Sequence, residues 1–441
     1  MPQPRRTLIR HATILTMDAS LGDLQDADLL IERDRIEAIG TVPAREAEMI
    51  DGRGSIVIPG LVNAHLHTWQ TALRGIAADW SIAEYIRKMH AGLATVFQPA
   101  DLNIATLAGA LNQLNCGTTT LVDWCHNNPT PEHDDAAIDA LYEAGIRAAF
   151  FHGSPKPDPA RGAAPFWEIP HPRAELERIQ KHRVGGLVSV GAAILGPQYS
   201  TWGVTLHDFR MARELGLIAS MHQSGGVPRC PEGWQRLEDA GLMDARVNIV
   251  HGNTFTDDQL ARFCSLGVNF TVAPGIEMSM GHGLPVTGRL RRLGRAPSLG
   301  IDIETLASGE MLLAARIALE TQRALDHRDG CASMIPAREA LAWATIEGAR
   351  MLGMEDSIGS LAPGKQADLV MIDASKLNMQ PVHDPVSAVV MQASLANIDR
   401  VMVAGKWKKR GGRLLFGRLE EKLAALRESG ERILHSIKNQ A

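Results

Sequence analysis

The chain has 441 residues, of which 45% are hydrophobic and 22% charged, and its formal net charge is −5. That length suits two domains, or one large domain with an appendage. The slight acidity and the lack of a basic tract leave a nucleic-acid or membrane-surface role without electrostatic support. No apolar run is long enough to span a bilayer. The N-terminus, Met1–Arg6, is basic but lacks the apolar stretch that would follow in a secretory signal. Five scattered cysteines, Cys116, Cys125, Cys230, Cys264 and Cys331, form no Cys-x-x-Cys pair. Free thiols in a reducing cytoplasm are the expectation.

Residues 7–58 alternate short apolar runs with turn signals, which is the pattern of small antiparallel strands. Asp51-Gly52 reads as a tight turn, and Pro59-Gly60 marks a boundary. From Leu61 to about Leu352 strands alternate with helices. Strands are expected at Leu61–His67, Thr119–Asp123, Arg147–Phe151, Leu187–Ala192, Leu217–His222, Val247–His251, Asn269–Ala273 and Ser298–Asp302. Capping boxes at Ser81/Glu84 and Thr256/Gln259 open helices. Further helices are expected over Pro99–Asn115 and Asp134–Ala144, and from Leu306 and Ala337. Apolar strand runs separated by helices argue for buried parallel strands. Eight of them predict an α/β fold of the closed (β/α)8 TIM-barrel type. No Gly-x-Gly-x-x-Gly follows the first strand, which argues against a dinucleotide-binding sheet.

Residues 358–415 return to strand-and-turn patterning and are expected to pair with the N-terminal strands. The predicted organisation is a small β-sandwich domain from residues 1–58 plus 358–415, a barrel over 59–357, and a C-terminal helix over 416–441. Leu419, Leu423, Leu426, Ile433 and Leu434 give that helix an apolar packing stripe. The Pro- and Gly-rich stretch from His152 to His171 is a candidate lid.

The stretch Gly60–Gln70 carries the first chemical signal. His65 and His67 stand two residues apart, so on a strand both imidazoles face one space. His222, His251 and Asp302 also fall at the carboxyl ends of predicted strands, the face where barrel active sites are built. Imidazole and carboxylate together suit zinc or ferrous iron rather than calcium or magnesium. In this architecture a second ion would need a modified lysine ending the fourth strand, and Ala192–Gln198 contains none. One divalent ion is expected, zinc ahead of iron.

Pro59–His67, His251-Gly252-Asn253, Gly300-Ile301-Asp302 and Gly359–Leu369 together resemble the amidohydrolase superfamily. The likeness is to the branch holding cytosine and guanine deaminases, S-adenosylhomocysteine deaminases and triazine chlorohydrolases, and it covers nearly the whole chain. The resemblance implies that His65, His67, His222 and Asp302 are metal ligands. It implies that Asp302 is also the base, that His251 polarises the water or the substrate, and that Gln70 and Arg74 contact substrate. Trp69 and Trp124 are candidates to stack on a planar ring. A small-molecule substrate and a homodimer or higher oligomer complete the expectation.

The chain departs from that branch at one point. Deaminases of the branch place a glutamate three residues after the fifth-strand histidine, and here Gly225 stands there. The seventh-strand loop, Ala273–Met278, also lacks the usual Ser-Asn pattern. Glu277, His282 and Glu304 are candidates to move the proton instead. The expected activity is therefore a metal-dependent hydrolase, foremost a deaminase of a purine-, pyrimidine- or triazine-like ring. The second expectation is a hydrolase releasing chloride, an amide nitrogen or a thiol without ammonia. The third is a ligand-binding relative without catalysis.

Overall fold

The computed structural model describes residues 6–43, 46–154, 164–331 and 334–438. Residues 1–5 of the basic N-terminus, and 155–163 of the candidate lid, lie outside the described residues. The chain opens with β1 (Arg6–Leu15), β2 (Asp23–Glu32), β3 (Arg35–Gly40), β4 (Glu48–Asp51) and β5 (Ser55–Pro59). The barrel strands are β6 (Leu61–Leu66), β7 (Thr118–Cys125), β8 (Arg147–Gly153), β9 (Val188–Ala193), β10 (Ala219–Gln223), β11 (Val247–His251), β12 (Asn269–Val272) and β13 (Ser298–Leu299). The chain then forms β14 (Leu369–Asp373), β15 (Ile398–Val403), β16 (Lys406–Arg410) and β17 (Arg413–Leu414).

Contacts divide the chain into two compact units. The first comprises the chain up to Asn63 with Leu111–Thr120 and Gly309–Gly417. The terminal segments share one mixed sheet in the order β17-β16-β15-β14-β5-β1-β2-β3, with β4 also paired to β1. The two ends of the chain meet where β5 and β14 pair antiparallel, from Ser55↔Asp373 to Pro59↔Leu369. Ile9, Ile14, Leu29, Val57, Leu369 and Met402 from both segments share one apolar cluster. The expectation of purely antiparallel strands needs correction, since β4 and β5 run parallel to β1. After the β2–β3 hairpin the chain crosses to the other edge of β1 and enters in the direction of β1 itself. A register shift between Ile9 and Ala12, with His11 at φ 57°, separates the half of β1 paired to β4 from the half paired to β5.

The second unit comprises Ala64–Ala110, Leu121–Ser308 and the chain from Arg418 onward. The eight strands β6 to β13 form one sheet in sequence order, and a parallel bridge from Leu66 to Asp302 joins its last strand to its first. Every residue of β7 and of β8 is buried, as strands covered on both faces require. The last strand is shorter than expected, ending at Leu299 rather than Asp302. Asp302 adopts a left-handed φ of 71°, which takes the backbone out of strand geometry at the closing bridge itself. The helix expected from Leu306 starts later, at Met311, because Leu306 ends a turn over residues 304–306.

Both predicted capping boxes form, at Ser81/Glu84 and Thr256/Gln259. The helix Pro99–Asn115 matches its expected span. The C-terminal helix runs Leu419–Lys438 and buries Ile433 completely. Its Ser429 donates to Asp101 Oδ1 at 2.7 Å, and its Arg432 pairs with Asp101 Oδ2. Among the described residues no helix is long and apolar enough to cross a membrane. Asp101→Ala removes the anchor of the terminal helix, and a charge-assisted bond contributes about 1.5–3 kcal/mol. Urea unfolding of that variant is expected to lose stability in that range.

Candidate metal and active site

His65 lies inside β6, and His67 follows its end. The His67 Nδ1–H donates to the Trp124 carbonyl at 2.6 Å, which fixes the ring and turns Nε2 inward. Asp302 Oδ1 stands 3.2 Å from His65 Nε2 and 3.2 Å from His67 Nε2. His222 Nε2 faces His65 Nε2 at 3.2 Å. One donor atom from each of these four residues lies within 4.8 Å of all the others. Ligands held at 2.0–2.1 Å around a tetrahedral ion are separated by about 3.3 Å. The three 3.2 Å separations match that spacing, and a cation between two facing imidazole nitrogens removes their conflict. The donor set therefore fits a divalent metal of the zinc type.

Burial dominates the electrostatics here. It pushes His65 down to about 4 and His222 well below the usual imidazole range, with neighbouring imidazoles adding to the effect at both. Burial alone would raise the Asp302 carboxyl. The facing His65 and His67 imidazoles outweigh it and hold Asp302 well below the usual carboxylate range. Both states are the ones that ligate metals: neutral imidazole and ionised carboxylate.

The backbone is strained at two of these positions. His251 has φ 73° and Asp302 φ 71°, a region that side-chain-bearing residues enter only at a cost of order 1–3 kcal/mol. Gly300 allows β13 to approach β6, because a Cβ there would sit 2.8 Å from both Cβ and O of His65. His251 Nδ1–H donates to Glu277 Oε1 at 3.0 Å, and His251 Nε2 lies 3.7 Å from Asp302 Oδ2. Burial would lower His251, but the Glu277 bond and the charges of Asp302 and Glu277 raise it above its ordinary value.

The remaining candidates separate clearly. Glu277, expected to reach into the site and move the proton, is fully buried and engaged on both oxygens. Its Oε1 also accepts from Ala273 N at 2.8 Å, and its Oε2 accepts from Asn253 Nδ2 at 3.3 Å. It orients His251. Glu304 Oε2 is held by Arg74 at 2.6 Å and by Thr71 at 3.3 Å, so Arg74 and Glu304 neutralise each other. Gln70 is fully buried, donating to Tyr85 Oη and accepting from Thr305 Oγ1. Trp69 is equally buried and donates its indole N–H to His126 Nδ1 at 3.0 Å. His126 stacks on His67 with centroids 4.1 Å apart. Trp124 packs edge-on to His222 at 4.4 Å and donates to Ser220 Oγ. Trp80, Trp167 and Trp202 instead lie beneath Lys88, Arg229 and Arg236. Nothing lies within 4 Å of a Cβ built at Gly225.

His282 follows the short helix Pro274–Met280 between two left-handed glycines, Gly281 and Gly283. Its ring sits 4.6 Å from that of His251. Its exposure is 8%, and burial pushes it down to about 4. The described part of the candidate lid is tied down at both ends, because His152 Nδ1 bonds His171 Nε2 at 2.9 Å and Ser154 Oγ bonds His171 Nδ1 at 3.0 Å. Sequence reasoning missed Tyr85, which accepts from Gln70, Asp123, whose Oδ1 accepts from Thr68 Oγ1 at 2.7 Å just after His67, and Asn253, which holds Glu277. Of these only Asn253 had a signal, inside His251-Gly252-Asn253.

A family model described as the amidohydrolase family matches residues 56–408. A 5-methylthioadenosine/S-adenosylhomocysteine deaminase of Symbiobacterium thermophilum is 28% identical, over 97% of this chain and 99% of that protein. An 8-oxoguanine deaminase of Pseudomonas aeruginosa is 30% identical, over 86% of this chain and 89% of that protein. The fold is similar to that of an atrazine chlorohydrolase of Arthrobacter aurescens TC1 complexed with zinc, with a TM-score of 0.85, 24% identity and coverage of 96% and 100%. It is also similar to a zinc-bound adenosine deaminase of Xanthomonas campestris, with a TM-score of 0.83, 23% identity and coverage of 99% and 100%.

Two substitutions probe the geometry. Gly300→Ala pushes against His65 and is expected to cost about 1–3 kcal/mol of stability, as overpacking does. Metal retained after dialysis should fall with it. Glu277→Gln leaves the four clustered donors in place but loosens His251. Its kcat should fall by roughly 10–100-fold at unchanged metal content, measured by steady-state kinetics beside elemental analysis.

Proposed function

Because the chain belongs to the amidohydrolase family, we propose that it is a metal-dependent hydrolase that removes an amino group from a purine-, pyrimidine- or triazine-like ring. One observation carries this reading, the convergence of His65, His67, His222 and Asp302 on a common point. The deaminase relatives support an amine as the leaving group. We assign these four residues one ion, zinc ahead of iron, since the end of β9 offers no lysine to bridge a second. A divalent ion in that place lowers the pKa of a bound water to about 7 and so supplies a nucleophile at neutral pH.

The protein supplies the rest. Asp302 Oδ1, 3.2 Å from His65 and His67 Nε2, is the oxygen that would join them on the ion, which leaves Oδ2 to accept the water's proton. His251, drawn toward its protonated form by Glu277, offers Nε2–H to the oxygen that adds to the ring carbon. Buried Trp124 and half-buried His126 pack on His222 and His67 and wall the donor cluster against bulk water. We place the enzyme in the cytoplasm as a homodimer or higher oligomer, and its five cysteines are free thiols.

The vacancy at Gly225 favours a second reading, in which the leaving group needs no acid: chloride, an activated amide or a thiol. The experiment is a ring panel incubated with metal-replete protein, with ammonia, chloride and free amine measured. Ammonia release that stops on chelation and returns with zinc supports deamination. Chloride or amine without ammonia supports the second reading. Folded, metal-free protein that binds rings without turnover would make it a binding relative only.

A further inference from the structure

Three side chains could replace the acid missing at Gly225, and two of them are already committed. Glu277 is bonded to His251, Asn253 and the Ala273 amide. Glu304 is held in an ion pair with Arg74. His282 differs. Both of its ring nitrogens are buried and neither has a hydrogen-bond partner. Leaving a buried polar atom unpaired costs about 1–3 kcal/mol, and native proteins rarely do so. Two such atoms on one ring, on a side chain more than nine-tenths buried against His251, point to a partner that arrives from outside.

We propose, on the hydrolase reading above, that His282 contacts the bound ring and passes to the leaving amine the proton that Gly225 cannot. A neutral imidazole carries one N–H and one lone pair. As the carbon–oxygen bond forms and the carbon–nitrogen bond breaks, His282 gives its N–H proton to the departing nitrogen. The proton that Asp302 takes from the water is then handed on and replaces it at the second ring nitrogen. The water's other proton stays with the product as the hydroxyl or its lactam tautomer, ammonia leaves, and His282 ends neutral in its other tautomer, which proton exchange resets before the next turnover. Two open nitrogens on one neutral ring are what this relay needs. The sheet order gives the relay a direction. β11, which bears His251, lies between β10 and β12. Gly225 follows β10 and His282 follows β12, so the leaving group is protonated from the opposite flank of His251 to the one the missing glutamate would occupy.

The test uses full-length, zinc-loaded protein and paired probes: 6-amino- and 6-chloropurine ribosides, and 2-amino- and 2-chloro-s-triazines. His282→Ala should lower kcat for the amines by roughly 10²–10⁴-fold and for the chlorides by less than about 10-fold. Metal content should not change, and added imidazole should restore part of the amine release. If His282→Ala fails to fold, His282→Gln preserves volume and hydrogen bonding without the relay, and the same loss in kcat with little change in KM is expected. Equal losses for amine and chloride, or an unchanged amine rate, overturn the assignment while leaving the hydrolase reading intact. No turnover of any probe by the metal-replete wild type rejects that reading and this assignment with it.

Discussion

The amide of Asp302 donates to the carbonyl of His65 at 2.8 Å, and the amide of His67 donates to the carbonyl of Asp302 at 2.8 Å. These two hydrogen bonds close the barrel between its last strand and its first. They also set a carboxylate and two imidazoles at the mutual distances of a coordination sphere. Closure and chemistry are thus one constraint. Gly300 is required because the strands approach too closely there for a side chain, and Asp302 is driven to a positive φ so that its carboxylate turns to the imidazoles. The folding energy of the buried barrel holds that strained residue in place.

Around this closure the polar side chains are arranged by what each one satisfies. The His67 ring is fixed by the Trp124 carbonyl, and the His251 ring by Glu277. Asn253 and the Ala273 amide in turn hold Glu277. Each step uses a hydrogen bond that a buried polar atom would otherwise lack. The electrostatics follow. Burial keeps His65 and His222 neutral, while two close imidazoles keep Asp302 ionised despite its burial.

Much of this was legible in the sequence, for a physical reason. Parallel strands buried on both faces leave uninterrupted apolar runs, so β6 to β12 could be marked, and their ends pointed to His65, His67, His222 and His251. The last strand was legible in place but not in length: the run Ser298–Asp302 marked it, whereas its strand geometry ends at Leu299. The parallel course of β4 and β5 beside β1 was not legible, because alternation reveals a strand but not its direction. The division of labour among Glu277, Glu304 and His282 was hidden too. All three are loop residues of similar sequence character, and only their hydrogen-bond partners separate them.

The pairing of β5 with β14 carries a consequence for how the molecule is made. Ser55–Pro59 finds its neighbour in Leu369–Asp373. A ribosome adding 5–20 residues per second needs roughly 15–60 s to travel between them. Throughout that interval the apolar edge of β5 has emerged without its mate and is open to wrong strands, including those of a neighbouring nascent chain. The early strands are therefore natural clients for chaperones, and shortening the chain ahead of Leu369 would strand them permanently in that state.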